Sequence, residues 1–277
     1  MMVGNTLEVS NAELHDILQT LLNKYGYDFT DYSLASIKRR ILRCMELTRI
    51  KSLFDLKYHL VNDADFFAFF LQTITVNVTE MFRDPFFYRE MLASVIPVLA
   101  SYPIIKIWHA GCATGEEVFS LCILLHEQGL LERCRIYATD INPANIDKAR
   151  KGIIPLSNMK EYTQNYLQSG GKNDFSSYYS ARYENAMIRN EFRKNVLFSQ
   201  HNLVTDHAFN EFHLICCRNV LIYFNRQLQN KVVQLFYESM APLAYLALGT
   251  KESLYFTDTR NKFETINPTA KIFRRKD

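Results

Sequence analysis

The chain has 277 residues, of which 48% are hydrophobic and 22% charged, with a formal net charge of +3. That mixture fits a globular protein of one or two domains and excludes a disordered or collagen-like chain. The mild charge argues against bulk nucleic-acid binding. No apolar run approaches the ~20 residues of a membrane span, and no secretory leader is read at the start.

The first 75 residues read as an all-α N-terminal domain. Leu14, Ile17, Leu18, Leu21 and Leu22 form one buried stripe, with Asn11 as the expected N-cap. A second helix is expected from about Asp31 to Leu47. Ile37, Ile41 and Met45 face its core, Arg39 and Arg43 lie opposite, and Arg40 flanks them. Residues 38–57 carry seven basic and two acidic side chains. Two short helical patterns follow, at 52–61 and 64–71. Segment 76–103 reads as a linker.

From residue 104 the pattern changes. Strand-like runs at 104–108, 134–140, 196–198, 212–217 and 245–249 alternate with helical patterns ending at 126 and spanning 143–151 and 226–240. Such alternation predicts an α/β domain over 104–277 with a parallel sheet. The runs 263–266 and 271–275, around Asn267-Pro268, predict an antiparallel closing hairpin. Residues 156–194 interrupt the alternation and read as a small β insertion.

Cysteine and histidine usage narrows the chemistry. The six cysteines, Cys44, Cys112, Cys122, Cys134, Cys216 and Cys217, form no C-x-x-C pair. Reduced, buried thiols in a cytoplasmic protein are expected. The seven histidines lack ligand spacing, so no metal is expected. The H-E-x-x-H, P-loop and G-x-S-x-G motifs are absent, which sets aside the hydrolases and NTPases built on them.

Three constellations carry the chemistry. In the first, Gly111-Cys112-Ala113-Thr114-Gly115 joins a strand to a helix, and Asp140 ends the next strand, placed for ribose hydroxyls. Small residues there let a cofactor approach the backbone. Glu116-Glu117 follow where a dinucleotide would place its pyrophosphate. Two carboxylates repel phosphate and suit the ammonium and sulfonium of S-adenosylmethionine; the other reading is an acid pair favoured by the helix dipole. The second constellation is Thr75–Arg83, a candidate site segment or a capped linker. The third is Phe212–Phe224, whose Arg218 and Asn219 fall at the carboxyl edge of the sheet, where open α/β sheets bind ligands.

These residues resemble one family. Thr75-x-Asn77-x-Thr79-x-x-Phe82-Arg83, Ala113-Thr-Gly-Glu-Glu117, Ala138-Thr-Asp-Ile141 and Cys217-Arg-Asn-Val-Leu-Ile-Tyr-Phe224 are similar, in order and spacing, to the CheR chemoreceptor methyltransferases. The resemblance covers nearly the whole chain. It implies a Rossmann-like S-adenosylmethionine methyltransferase fold. It also implies methyl transfer to glutamate side chains on the cytoplasmic helices of bacterial chemoreceptors, with S-adenosylhomocysteine as product. Carried over by motif, Asn77, Thr79, Arg83, Glu117, Asp140, Asn202, Leu203, Arg218 and Asn219 would line the cofactor site, beside Gly111 of the loop. The chain departs from the family at Gly249-Thr250-Lys251-Glu252 (usually Gly-His-Ser-Glu), at Val118-Phe119-Ser120 (usually Pro-Tyr-Ser) and at Met81 (usually Phe).

A glutamate carboxylate is ionised at neutral pH, so the reaction needs alignment rather than a base. Arg83 and Tyr223 are the candidates for holding that anion, with a core tyrosine as the other reading of Tyr223. Arg39, Arg40 and Arg43 are candidates for steering an acidic substrate helix, against the alternative of a solvated charged face. The β insertion either docks a receptor tail by strand addition or is structural. The expected protein is a cytoplasmic monomer that neither binds nucleic acid nor enters the membrane. Two other readings stay open: a methyltransferase-like module that holds the cofactor and signals, and a methyltransferase with a different acidic substrate.

Overall fold

The computed structural model describes residues 9–75 and 77–277. Val76, within the Thr75–Arg83 motif, and the first eight residues, where a leader was sought, lie outside the described residues. The chain divides into two compact units, Met1–Val76 with Tyr223–Gln229, and Asn77–Ile222 with Asn230–Asp277.

The first unit holds α1 (Asn11–Tyr25), α2 (Leu34–Thr48), α3 (Leu53–Asn62) and α4 (Ala64–Ile74). The cap of α1 is Ser10, one residue before the expected Asn11. Glu13 N–H donates to Ser10 Oγ at 3.3 Å and Ser10 N–H donates to Glu13 at 3.0 Å, closing a capping box. Leu14, Ile17, Leu18 and Leu21 are buried as the stripe predicts. Helix α2 starts at Leu34, later than expected, because Tyr32 bridges to Phe224 and Ser33 N–H donates to Tyr223 O at 2.8 Å, which holds that stretch extended. Asp63 ends α3 and caps α4 through Phe66 N–H at 2.9 Å. Phe224 packs edge-on against Tyr32 at 4.8 Å, and Asn225 donates to Asp31 at 2.9 Å.

The second unit opens with helix where a linker was expected: α5 (Pro85–Glu90), a π turn (Met91–Val95) and α6 (Ile96–Leu99). Phe87, Tyr88, Met91, Val95, Ile96 and Leu99 are all buried, a helical spacing that the expectation overlooked. Pro97 has no N–H to donate, and the hydrogen bond just before it slips to Ile96 N–H→Met91 O.

Next come β1 (Ile105–Ala110), α7 (Glu116–Glu127), β2 (Cys134–Asp140) and α8 (Pro143–Lys151). The insertion follows as β3 (Ile153–Pro155), α9 (Met159–Gln168), β4 (Tyr179–Arg182) and β5 (Asn185–Ile188). Then β6 (Val196–Gln200), β7 (Phe212–Cys217), α10 (Arg226–Glu238) and β8 (Met240–Leu248) lead to the hairpin β9 (Phe263–Asn267) and β10 (Ile272–Arg275). The large sheet has the order β6-β2-β1-β7-β8-β10-β9. Its first five strands are parallel and the hairpin is antiparallel, as expected. The order reverses between β1 and β7, which opens a crevice at their carboxyl ends.

The insertion differs in detail from its expectation. Its sheet runs β3-β5-β4, so it begins at Ile153, and it carries a helix. Glu127, at the end of α7, anchors it. The Tyr178 hydroxyl donates to Glu127 at 2.6 Å, Asn173 Nδ2 donates at 3.3 Å, and the Tyr166 hydroxyl donates to the same oxygen. All six cysteines are buried and unpaired. Among the described residues no helix is long and apolar enough to cross a membrane.

Glu127→Leu leaves the two tyrosine hydroxyls without their acceptor. The expected loss of stability is about 2 kcal/mol, read by urea denaturation.

Candidate active site

The loop between β1 and α7 coils through left-handed backbone at Gly111 (φ 79°), Ala113 (φ 47°) and Gly115 (φ 95°). Its donors are used internally. Gly111 N–H and Cys112 N–H both donate to Thr139 O at 2.8 Å, Ala113 N–H donates to Asp140 Oδ2 at 2.9 Å, and Gly115 N–H donates to Cys112 O at 3.0 Å. Those four N–H groups are therefore not offered to a phosphate. Packing also requires the glycines: a Cβ at Gly111 would meet Val220 at 2.5 Å, and one at Gly115 would meet Ala149 Cβ at 3.1 Å.

Asp140 sits at the carboxyl end of β2. Its Oδ1 accepts from Asn142 N–H at 2.9 Å and from Asn145 Nδ2 at 3.2 Å, while Oδ2 accepts from Ala113. Oδ2 keeps a lone pair for a hydroxyl donor. Burial pushes the carboxyl up, and the Asn142 and Ala113 donors oppose that rise. Asn145 also donates to Asn77 Oδ1 at 2.6 Å, which joins the Thr75–Arg83 motif to this carboxylate. His201 N–H donates to Asp140 O at 3.1 Å and fixes the start of the next turn. There Asn202 Oδ1 accepts from Val204 N–H at 3.0 Å and Leu203 is buried.

Glu117, on the first turn of α7, meets a buried cation. Arg218 Nη1 lies 2.8 Å from one Glu117 oxygen and its Nη2 lies 2.7 Å from Asp84 Oδ2. His109 Nδ1 lies 3.3 Å from the other Glu117 oxygen. Arg218 stacks over Phe87 at 4.1 Å and donates to Arg83 O at 3.3 Å. Burial alone would push the Glu117 carboxyl up, but Arg218 and His109 outweigh it and hold the group below its ordinary value. Glu116, by contrast, turns back onto Thr114 at 2.7 Å, and burial pushes its carboxyl up. The acid pair thus divides into one carboxylate matched to Arg218 and one held by Thr114.

The remaining candidates separate. The Arg83 side chain is half-buried and draws down the Glu80 carboxyl, which burial pushes up; Thr79 is half-buried nearby in sequence. Asn219 has φ 62°, and its N–H donates to Glu252 at 3.0 Å. Glu252 also accepts from Gly249 N–H at 2.5 Å and Ile222 N–H at 3.3 Å. This buried carboxylate was not foreseen as a site residue. The available signal was an acid four positions past a strand end. Tyr223 falls with the helical unit, where its carbonyl accepts from Ser33 N–H at 2.8 Å and Arg40 lies 5.5 Å from its ring. Arg39 and Arg43 are exposed on α2, and Arg43 pairs with Glu46 at 2.6 Å.

Residues 77–272 match the family described as CheR methyltransferase, SAM binding domain, and residues 12–75 match CheR methyltransferase, all-alpha domain. The chain belongs to the CheR family. It is 45% identical over 266 residues to a Pseudomonas putida protein carrying the name Cher3, across 96% of this chain and 97% of that one. A Listeria innocua protein named chemotaxis protein methyltransferase is 31% identical over 231 residues, 83% of this chain and 85% of that one. A Vibrio cholerae protein named chemotaxis protein methyltransferase 1 is 28% identical over 274 residues, 94% and 95% of the two chains.

This CheR chain is a methyltransferase that uses S-adenosylmethionine. Its residues fit that cofactor. Glu117 and Asp84 against Arg218 leave one net negative charge for a cationic ligand, Asp140 keeps an acceptor for a ribose hydroxyl, and the loop donors are already spent.

Arg218→Met strands two carboxylates. The expected loss is about 3–5 kcal/mol near neutral pH. Glu117 is held low in the wild type, so its contribution is present above the ordinary glutamate value and is lost as pH falls through the lowered one. In the variant the deficit shrinks in acid as the stranded carboxylates take protons. Urea titrations at neutral and acid pH measure both effects.

Proposed function

We propose that the chain transfers the methyl group of S-adenosylmethionine to glutamate side chains of bacterial chemoreceptors, forming glutamyl methyl esters in the cytoplasm. The names of the Listeria and Vibrio relatives support the chemotaxis setting. The observation that carries the chemistry is the half-buried Arg83, which lies near Glu80, whose carboxyl it draws down against the rise from burial, and whose own carbonyl accepts from the buried Arg218.

When bound, the cofactor supplies an electrophilic methyl group on a sulfonium. The protein's residues do the holding. Glu117 takes the ligand's ammonium, Asp140 Oδ2 takes a ribose hydroxyl, and Asn77, Thr79, Asn202, Leu203, Arg218 and Asn219 complete the lining. Arg83 attracts the substrate carboxylate and orients one oxygen for attack. That oxygen is already anionic, so no side chain has to remove a proton. Orientation of this kind can supply roughly 7–11 kcal/mol of barrier lowering. Tyr223, which belongs to the helical unit, is the second candidate residue for the chemical step. The exposed Arg39 and Arg43 of α2 steer an acidic helix, with Arg40 beside them. A methyltransferase for another acidic substrate would share the cofactor residues, and receptor membranes separate the two readings.

Calorimetry with S-adenosylhomocysteine should show binding that Asp140→Ala weakens by roughly 1.5–3 kcal/mol. Tight NAD binding with no response to S-adenosylhomocysteine would sink the cofactor site.

Single-turnover transfer to receptor membranes, with cofactor saturating, should rise as glutamate ionises and then level, with no histidine limb near neutrality. Arg83→Ala should lower that rate and Tyr223→Phe should lower it less. Arg39→Glu with Arg43→Glu should impair transfer while leaving S-adenosylhomocysteine affinity unchanged. Full activity in Arg83→Ala overturns the positioning of the anion.

A further inference from the structure

The His109 side chain is 2% exposed, yet it stands on a central strand among apolar neighbours. On β1 it is flanked by Ala138 of β2 and Cys216 of β7. Ile107, two residues earlier, belongs to the core with Val118, Leu121 and Cys122 of α7. An aliphatic residue would fill such a place without a polar atom to satisfy. His109 instead sends Nδ1 to Glu117 Oε1 at 3.3 Å and leaves Nε2 buried with no hydrogen-bond partner. An unpaired buried polar atom carries a penalty of about 1–3 kcal/mol, which a purely structural residue has no reason to bear.

Glu117 can only accept, so Nδ1 carries the proton in this contact. With Arg218 on the other oxygen, the carboxylate is gripped at both ends and its plane is set. The two grips differ in charge. Arg218 is a permanent cation shared with Asp84. A neutral imidazole orients the same carboxylate and adds no charge, so the net negative charge of the cluster remains for a ligand cation.

We propose that His109 is a positioning residue for cofactor binding, fixing the orientation of Glu117 while leaving its charge uncancelled. This rests on the reading that Glu117 receives the ligand ammonium.

The test is calorimetry of S-adenosylhomocysteine binding to the full chain at about pH 7.5. Four proteins are compared: wild type, His109→Asn, His109→Leu and Glu117→Gln. Asparagine presents an N–H near the place of Nδ1 and keeps a grip on Glu117. His109→Leu should bind about tenfold more weakly than wild type, the order seen when an outer partner of a binding group is removed, and His109→Asn should recover most of that loss. Wild-type affinity in His109→Leu, or affinity in His109→Asn as low as in His109→Leu, overturns the proposal. Should His109→Leu lack a cooperative melt, the asparagine variant decides alone, and a loss of about tenfold in it overturns the proposal. Glu117→Gln separates the two levels. If it binds like wild type, the reading of Glu117 falls. If it loses affinity while the His109 variants match wild type, only the role of His109 falls.

Discussion

A guanidinium with 1% of its side chain exposed must have its charge met on the spot, and Arg218 is met by Glu117 and Asp84 at 2.8 and 2.7 Å. Desolvating such an ion is costly enough that either carboxylate alone would be a poor match. The three residues come from three parts of the chain: the segment before the sheet, the first turn of α7 and the end of β7. Meeting one charge therefore brings together the three motif segments. The Gly111–Gly115 loop, Arg83 and Asn219 take their places around that contact. Phe87 covers the guanidinium face at 4.1 Å, so part of the helical segment before the sheet belongs to the same arrangement.

Much of this was legible in the residues, for identifiable reasons. The parallel strands are short apolar runs separated by helical periodicity, and Asn267-Pro268 marks the hairpin turn. The α2 stripe of Ile37, Ile41 and Met45 is buried as its four-residue spacing requires. The misses also have causes. The helical spacing of Phe87, Tyr88, Met91 and Val95 was overlooked in the segment read as linker, where Pro85 stands at a helix start, a favourable place for it. Ser10 and Glu13 spell a capping box that was passed over for Asn11. Val220, pressing on Gly111, is a packing neighbour that only the folded chain reveals. For Glu252 the local pattern offered only an acid past a strand end, because its donors at Gly249, Asn219 and Ile222 come from two different stretches that the folded sheet brings together.

Asp140 and Glu252 illustrate a common device. Each is a buried carboxylate surrounded by N–H donors rather than by cations, so each fixes a turn at the carboxyl edge of the sheet without adding a second ion cluster. Burial pushes both carboxyls up, and in both the backbone donors oppose the rise. Glu117 and Asp84, by contrast, are matched to the Arg218 guanidinium. Carboxylates held by backbone donors and carboxylates held by a cation thus stand side by side.

The insertion between α8 and β6 leaves the sheet and returns to it at nearly one point. Arg193 reaches back to the carbonyls of Arg150 and Lys151 at 3.3 and 3.0 Å, and Ile188 N–H donates to Gly152 O at 2.9 Å. Its far side is moored to α7 by the Glu127 tyrosines. A segment whose two ends are clasped together behaves as a cassette: it can lengthen, shorten or be exchanged over evolutionary time without changing the register of β2 and β6. Selection can thus retune the outer surface of this unit while the cofactor edge is inherited intact.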